Sequence, residues 1–167
     1  MLPGEVGRFH FGYIVVFGRN MKAVLQRVSR ASVRVGDELV GEIGPGLCVL
    51  LGVARGDGLE DAAKLAVKVA RLRVFERDGF DVSLLDVAGE ALVLSQFTLL
   101  ADTAKGNRPS FTEAAPPDVA EPLYEAFCAE LRSLDVTVAS GRFGARMSVE
   151  IANDGPVTIV LETALTR

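Results

Sequence analysis

Apolar and polar residues alternate along the segment that follows Met21, as is typical of half-buried β-strands. Strand-like patterning begins at residues 22–28, and a strict period of two runs through residues 31–35. A Gly-Asp pair then provides a turn, after which the strand pattern continues through residues 38–43. Two strands joined by so short a turn form a hairpin, so the sheet is predicted to be at least partly antiparallel.

The spacing of the apolar residues changes in the middle of the chain. Residues 47–53 are apolar throughout, which predicts a central strand covered on both faces. Residues 59–74 predict a first amphipathic helix, because their apolar side chains recur at helical spacing, at Ala62, Leu65, Ala66, Val69 and Leu72. Residues 91–100 predict another buried strand, which is interrupted by the polar side chains of Ser95, Gln96 and Thr98.

The last third of the chain predicts a second helix and three more strands. The helix follows two prolines, with Asp118 predicted as its N-cap and Glu121 as its capping-box partner. Its buried stripe is predicted to consist of Val119, Leu123, Phe127, Leu131 and Leu134. Before it, residues 101–117 form a polar loop of a length typical of functional or mobile segments. The strands are predicted at residues 136–140, 147–151 and 157–162.

Together these elements predict an α/β fold: a compact single domain with mixed, largely antiparallel, barrel-like β-sheets and two main amphipathic helices. The length of 167 residues, of which 49% are hydrophobic and 24% charged, suits one soluble globular domain. This domain is predicted to span residues 21–167, and residues 1–20 are predicted to be an N-terminal extension outside the fold. No apolar run approaches the roughly 20 residues of a membrane helix, so no membrane contact is expected.

Charge and cysteine content narrow the choice of partners and compartment. The formal net charge is −4, from 18 Lys and Arg against 22 Asp and Glu, so any contact with RNA must be local. Cys48 and Cys128 lie within apolar patterns and are predicted to be buried core thiols, not a disulfide or a nucleophile. Free thiols suit a reducing environment, and a cytoplasmic location is expected.

Histidine content excludes several mechanisms, because His10 is the only histidine and lies in the predicted extension. The body therefore lacks the imidazole base of Ser-His-Asp or Cys-His catalysis and the usual zinc ligands. It also lacks a P-loop or dinucleotide motif, so neither a metal nor a cofactor is expected. Two polar runs remain, residues 95–98 and 153–158. Each also has an ordinary structural interpretation, as strand residues and as a turn.

Taken together, five motifs resemble the D-aminoacyl-tRNA deacylase family, historically named D-tyrosyl-tRNA deacylase. They are Met-Lys-Ala-Val-Leu-Gln-Arg-Val-Ser-Arg-Ala-Ser-Val at residues 21–33, Ser-Gln-Phe-Thr-Leu at 95–99, Arg-Pro-Ser-Phe at 108–111, Gly-Arg-Phe at 141–143 and Asn-Asp-Gly-Pro-Val-Thr at 153–158. The resemblance extends from Met21 to about Thr163. Two features depart from it, the stretch at residues 80–84 and Arg146, and they affect details of the pocket.

The resemblance implies that the protein hydrolyses the ester bond of D-aminoacyl-tRNA, and of glycyl-tRNA, and so keeps D-residues out of translation. The catalytic group it implies is Ser95, Gln96, Phe97 and Thr98, with backbone N–H groups near Phe97 and Thr98 stabilising an oxyanion. Thr98 has two open roles, as a nucleophile or as a group that orients the ester or water. Orientation is favoured, because no base is at hand to accept the hydroxyl proton.

The resemblance also implies that chirality is enforced by a cis pair, Gly155 and Pro156, inserted from the other subunit of a homodimer whose active sites lie at the interface. The tRNA is expected to contact the protein through its acceptor end, with Lys105, Arg108 and Arg142 binding phosphates, as could Arg146; a solvated basic rim is the alternative. Two other functions remain open. One is a non-catalytic aminoacyl-tRNA binding module, like an editing domain, and the other is a hydrolase of small D-aminoacyl esters.

Overall fold

The structure, a computed structural model, describes residues 20–163. In chain order its elements are β1 (Lys22–Val35), β2 (Glu38–Ile43), β3 (Gly46–Gly52), α1 (Leu59–Arg71), β4 (Arg73–Glu76), β5 (Phe80–Ser83), β6 (Glu90–Ser95), a 3-10 helix (Phe97–Leu100), α2 (Pro117–Ser133), β7 (Thr137–Ser140) and β8 (Ser148–Glu162). Within the described range, six strands form one sheet, and β4 and β5 form a separate hairpin.

The long strand β1 organises the sheet. It pairs antiparallel with β3 along its first half, with β2 along its second half, and with β8 along most of its length. Parallel pairs of β3 with β6 and of β6 with β7 complete the order β2-β1-β3-β6-β7. The two ends of this order approach each other, since a Cβ added to Gly41 of β2 would lie 2.7 Å from the carbonyl oxygen of Ser140 in β7. The predicted α/β fold, with a mixed, barrel-like sheet and two helices, is confirmed.

The prediction of two separate strands at residues 147–151 and 157–162 is wrong. Residues 148–162 form one strand, β8. The Asn-Asp-Gly-Pro run, which favours a turn locally, therefore lies inside β8. Its irregularity is absorbed as register shifts in the pairing with β1 around Val28. Pairing with a long neighbouring strand outweighs the local turn preference of these residues.

The predicted strand at residues 91–100 is confirmed only as far as Ser95. The backbone N–H of Gln96 donates to the carbonyl of Leu51 at 2.7 Å and extends the contact with β3. The chain then turns, because the N–H of Leu99 donates back to the carbonyl of Gln96 at 3.2 Å, within the 3-10 helix. The polar residues that interrupt the apolar pattern thus mark the end of a strand.

Helix α1 follows its predicted stripe, with Ala62, Leu65, Ala66 and Val69 buried, although it ends at Arg71 instead of Val74. Helix α2 differs in two respects. Its N-cap is Pro116, no side chain caps it, and the predicted box of Asp118 and Glu121 does not form because the prolines already set the entry into the helix. Val119 is 40% exposed, so its predicted burial is wrong. Leu123, Phe127 and Leu131 are buried as predicted, and the buried face also includes Ala120, Tyr124 and Cys128.

The two helices pack together, and their buried faces share one core with the sheet, while a second core lies inside the barrel between residues such as Val33, Cys48 and Leu92. Cys48 and Cys128 are free and buried, as predicted, and burial raises the pKa of each thiol to about 11. No helix within residues 20–163 is long and apolar enough to cross a membrane. Residues 1–19 of the predicted extension lie outside the described range, and Asn20 is buried.

Asp57, in the turn after β3, gives the fold a pH dependence. Its Oδ2 accepts the N–H of Ala54 at 2.6 Å, and its partial burial, together with the charge of Asp61, raises its pKa to about 6. A raised carboxyl pKa means that the folded state binds more protons than the unfolded chain between about pH 4 and 6. The free energy of unfolding from this group therefore falls as the pH rises through that window.

We expect Asp57→Asn to stabilise the protein at pH 7.5 by about 1 kcal/mol, a value discounted for solvent screening because Asp57 is only partly buried. The amide oxygen of Asn still accepts the Ala54 N–H, whereas the hydrogen bond with the Met21 backbone is weakened, which also keeps the expected gain small. Urea unfolding of both proteins at pH 4 and pH 7.5 measures the effect. An equal stability difference at the two pH values would contradict it.

Candidate active site

An apolar cleft of about 540 Å³ opens where β6 ends. Its walls come from four separate parts of the chain: the residue that follows β3, the end of β6 with the 3-10 helix, the segment before α2 with the start of that helix, and the connection from β7 into the start of β8. The lining residues are Val53, Leu94, Ser95, Gln96, Phe97, Phe111, Ala114, Ala115, Pro117, Ala120, Phe143, Gly144, Ala145, Met147 and Val149. Three of the five sequence motifs therefore meet in one place.

The Ser-Gln-Phe-Thr run forms the polar edge of this cleft. Ser95 and Gln96 are half-buried, whereas Phe97 and Thr98 are exposed, and Thr98 lies beside the lining residues. The side-chain amide Nε2 of Gln96 donates a hydrogen bond to Oγ1 of Thr98. A 3-10 helix leaves its first N–H groups without an intrahelical acceptor, and here these groups belong to Phe97 and Thr98. The site thus combines a fixed hydroxyl, an amide and two available backbone donors.

A glycine that the sequence analysis did not single out allows this geometry. A Cβ at Gly52, the last residue of β3, would lie 2.6 Å from Cδ2 of Leu100 and 3.0 Å from the carbonyl oxygen of Gln96. Only a residue without a side chain lets the 3-10 helix fold back so closely against β3. The sequence offered one indication of this close approach, a glycine at the end of an otherwise apolar central strand.

Aromatic rings build the apolar walls. Phe97 and Phe111 meet edge to face, with ring centroids 5.1 Å apart. Phe143 packs against Tyr124 of α2 at 6.0 Å, and the Tyr124 hydroxyl donates to the carbonyl of Val93 in β6 at 2.8 Å. Helix α2 is thereby tied both to the cleft wall and to the strand that carries Ser95.

The cleft offers no ionisable side chain among the described residues that line it. Within residues 20–163, moreover, no three His, Cys, Asp or Glu side chains come together as they would to hold a metal ion. The chemistry available from these residues is therefore limited to hydroxyl, amide and backbone groups. Such groups can position a reactive ester and stabilise an oxyanion, but they supply no strong base.

Gly155 and Pro156 are not brought into the cleft of their own chain. They lie exposed on β8, and the peptide bond between them is cis, as expected. Gly155 has φ +132°, a backbone conformation that favours glycine. Asn153 steadies the segment, since its side-chain amide donates to the carbonyls of Arg27 and Val157, each at 3.0 Å.

Arg27 lies behind this pair, and sequence reasoning missed it. Only 7% of the residue is exposed. Its Nε donates to the carbonyl of Asp154 at 3.2 Å and forms an ion pair with that residue's carboxylate at 3.4 Å. Its position in the alternating pattern of β1 could have indicated its burial. Ala23 and Leu25 are buried on one face of the strand, and an arginine two residues later lies on the same face, where it needs buried partners.

The predicted tRNA-binding residues are all exposed, but they lie in two different segments of the chain. Lys105 and Arg108 are exposed in the loop before Phe111. Arg142 is exposed next to the lining residue Phe143, but its Nη2 contacts both carboxylate oxygens of Glu38, at 3.1 and 3.2 Å. Arg146 is also exposed, beside Ala145 and Met147 of the cleft. Basic residues thus lie close in the sequence to two of the aromatic residues that line the cleft.

Comparisons with known proteins show which family this chain resembles. The sequence profile of the family described as D-Tyr-tRNA(Tyr) deacylase matches residues 24–162. A D-aminoacyl-tRNA deacylase of Roseiflexus sp. (strain RS-1) is 59% identical over 149 residues, which cover 88% of this chain and 96% of the relative. One of Dehalococcoides mccartyi (strain ATCC BAA-2100 / JCM 16839 / KCTC 5957 / BAV1) is 61% identical over 145 residues, covering 86% of this chain and 95% of the relative.

A solved structure is similar over the same region. The structure titled c-Myc DNA Unwinding Element Binding Protein has a TM-score of 0.80 and is 44% identical, covering 86% of this chain and 99% of its own. The profile match spans the sheet, both helices and the cleft. With its relatives 59% and 61% identical over nearly their full lengths, the chain belongs to the D-Tyr-tRNA(Tyr) deacylase family.

Proposed function

We propose that this protein hydrolyses the ester bond between a D-amino acid, or glycine, and the terminal adenosine of tRNA, and rejects L-aminoacyl-tRNA by steric exclusion. The observation that carries the proposal is the end of β6, where Gln96 holds the Thr98 hydroxyl and two backbone N–H groups are free beside an apolar cleft. Family membership supports the same reaction, because the relatives are named D-aminoacyl-tRNA deacylases.

The substrate makes this chemistry feasible without a strong base. An aminoacyl ester is already activated by its protonated α-amino group and by the neighbouring ribose hydroxyl, so modest catalysis suffices. Water attacks the ester carbonyl, and the N–H groups of Phe97 and Thr98 stabilise the oxyanion that forms. The 3′-oxygen of the ribose then leaves with a proton. The substrate's own 2′-hydroxyl assists in moving that proton.

The proposal makes the active unit a homodimer in which Gly155 and Pro156 complete the partner's cleft. Three features support an insertion of this kind: the pair is exposed, it is absent from its own cleft, and it is anchored from behind by Arg27. Strand β8 also presents Val160, which is 65% exposed, on a strand that pairs with β1 alone among the described strands. A second subunit would cover this surface.

In this arrangement the pair forms a wall next to the substrate's α-carbon. With the amino group and the ester fixed, D and L substrates differ only in the direction of the side chain, so a rigid wall excludes one of them. The D side chain points away from that wall, which allows several D-amino acids to react. The cytoplasm is the proposed location, because the buried free thiols suit a reducing compartment.

The proposal is tested by incubating the purified protein with matched D- and L-tyrosyl-tRNA and with a minimal D-tyrosyl ester. We expect release of tRNA from the D substrate only. Binding without release would indicate a non-catalytic binding module. Equal rates on the minimal ester and on the charged tRNA would indicate a general D-aminoacyl esterase. Sedimentation at assay concentration tests the dimer, and a monomer that is fully active would contradict the shared site.

Substitution of Thr98 tests whether its hydroxyl is a nucleophile or only an orienting group. We expect Thr98→Ala to lower kcat about tenfold, the loss of one orienting hydrogen bond, because Gln96 and the backbone donors remain. Thr98→Ser keeps the hydroxyl and serves as the matched control, with a rate within about threefold of the wild type. Single-turnover deacylation of D-tyrosyl-tRNA measures both. A loss of four or more orders of magnitude in the alanine variant would instead indicate a nucleophile.

Salt dependence tests contact with the acceptor end. Neutralising two to four phosphates gives a shallow slope in log[salt], and Arg108→Ala should flatten it by about one. Arg142→Ala should change the slope less, because Glu38 already pairs with this guanidinium. Arg132→Ala is the control, since Arg132 lies twelve residues, roughly 18 Å, along α2 from Ala120 in the cleft. A slope near that of large DNA-binding proteins would contradict local recognition.

A further inference from the structure

The hairpin of β4 and β5 makes three contacts with one buried arginine. Nη1 of Arg27 donates to the carbonyl of Val74 at 2.9 Å and lies 3.4 Å from Oε1 of Glu76. The ring of Phe80 lies against the same guanidinium, with its centroid 5.9 Å from Cζ. Phe80 is otherwise exposed, as is Glu76. The hairpin therefore surrounds the guanidinium with an acceptor, a charge and a ring.

The other side of the same guanidinium faces the exposed segment of β8. Its Nε contacts both the carbonyl and the carboxylate of Asp154. Its Nη2 lies so close to Gly155 that an added Cβ would be 3.1 Å away. A guanidinium is planar and rigid, so fixing one nitrogen orients the others. Any tilt imposed by the hairpin is therefore transmitted to the backbone of Asp154 and Gly155.

The hairpin and the exposed segment do not pair with each other as strands. The hairpin forms its own two-stranded sheet, which packs on the main core through Val74. The segment lies at a register irregularity in the pairing of β8 with β1, and Asn153 anchors its start. Arg27 thus contacts both elements and links the position of the hairpin to that of the segment.

We propose that the β4–β5 hairpin, through Glu76 and Phe80, determines how strictly L-aminoacyl-tRNA is rejected, by holding Arg27 against the backbone of Gly155. Glu76 and Phe80 are positioning residues, because they act through Arg27 and touch no reacting atom. The inference rests on the proposed role of Gly155 and Pro156 as the chirality wall. A wall whose support has loosened yields to an L side chain, whereas the D substrate, which points away from it, is little affected.

The test compares deacylation rates on D- and L-tyrosyl-tRNA for the double variant Glu76→Gln/Phe80→Leu. We expect the ratio of D to L rates to fall about tenfold, since displacing a positioning group by a fraction of an ångström has effects of this order. The rate on the D substrate should stay within twofold of the wild type, and the melting temperature should fall by no more than a few degrees, because Arg27 keeps its contacts with Val74 and Asp154. Phe80→Tyr keeps the ring and should retain the wild-type ratio.

Asp78→Asn is the matched control, because it removes an exposed carboxylate at the tip of the same hairpin, away from Arg27. The ratio of D to L rates of this variant should equal that of the wild type. A double variant whose D-to-L ratio stays within twofold of the wild type overturns the proposal, as does an equal loss of rate on both substrates. Gly155→Ala separates this failure from failure of the proposed function. If Gly155→Ala leaves the rate on the D substrate unchanged, the proposed role of Gly155 and Pro156 as a wall is wrong. If Gly155→Ala slows that rate, only the proposed role of the hairpin is wrong.

Discussion

Gly155→Ala is expected to slow deacylation of D-aminoacyl-tRNA about 10²-fold. At φ +132° an alanine is strained, and its Cβ would lie 2.8 Å from Cγ2 and 2.9 Å from the backbone nitrogen of Val157. The added Cβ would also lie 3.1 Å from Nη2 of Arg27. The segment must therefore move, and a shift of about 1 Å in a group that borders the substrate costs this much in rate.

The loss should appear in single-turnover rates on D-tyrosyl-tRNA, with a decrease of about 1–3 kcal/mol in the free energy of unfolding. Gly36→Ala is the matched control. Gly36 also has positive φ, +58°, but no atom lies within 4 Å of its added Cβ, and it lies in the turn between β1 and β2, away in the chain from every residue that lines the cleft. It should lose some stability and keep its activity. Wild-type activity in Gly155→Ala would show that this segment does not border the substrate.

Gly46→Ala is expected to destabilise the fold by about 3–4 kcal/mol, a large part of the stability of a domain of this size. Gly46 starts β3 and pairs with Glu90 at the start of β6. An added Cβ would lie 1.8 Å from the carbonyl oxygen of Glu90 and 2.8 Å from its backbone nitrogen and carbonyl carbon. The clash involves backbone, which no side-chain rotation can relieve, so β3 and β6 must separate.

Urea unfolding of Gly46→Ala and Gly44→Ala measures this effect with a control two residues away. The nearest atom to a Cβ at Gly44 is Oε1 of Glu90, at 3.4 Å, at the end of a flexible side chain. The Gly44 N–H that donates to this oxygen remains in the alanine variant. We expect Gly44→Ala to cost less than about 1 kcal/mol. Similar stabilities for the two variants would mean that β3 and β6 do not approach as closely as described.

Local periodicity was sufficient for most of the elements. The apolar run of β3, the hairpin of β1 and β2, and the buried stripe of α1 follow from patterns that repeat within a few residues. Burial of Cys48 and Cys128 followed in the same way. The Val119 error in α2 has a local cause too, since adjacent stripes on a helix differ by only one position and the neighbouring elements choose between them.

The motifs located part of the site but not its shape. Ser95, Gln96 and Phe97 line the cleft, and Phe111 and Phe143 come from two of the other motifs. Their meeting depends on Gly52, which allows the 3-10 helix to fold against β3, and on Tyr124, which ties α2 to β6. No periodicity records such contacts, because they join residues that are far apart in the sequence.

The sequence by itself determined the class of fold, the helices and most strands, and the motifs that place the chain in its family, because these depend on residue type and short-range spacing. Only the tertiary structure decided that residues 148–162 form one strand through the Asn-Asp-Gly-Pro run, that Gly155 and Pro156 stay outside their own cleft, and that Arg27 is buried behind them. The physical reason is that pairing with β1 and contact with the β4–β5 hairpin outweigh local turn preference and the cost of burying a charge, and both come from distant parts of the chain.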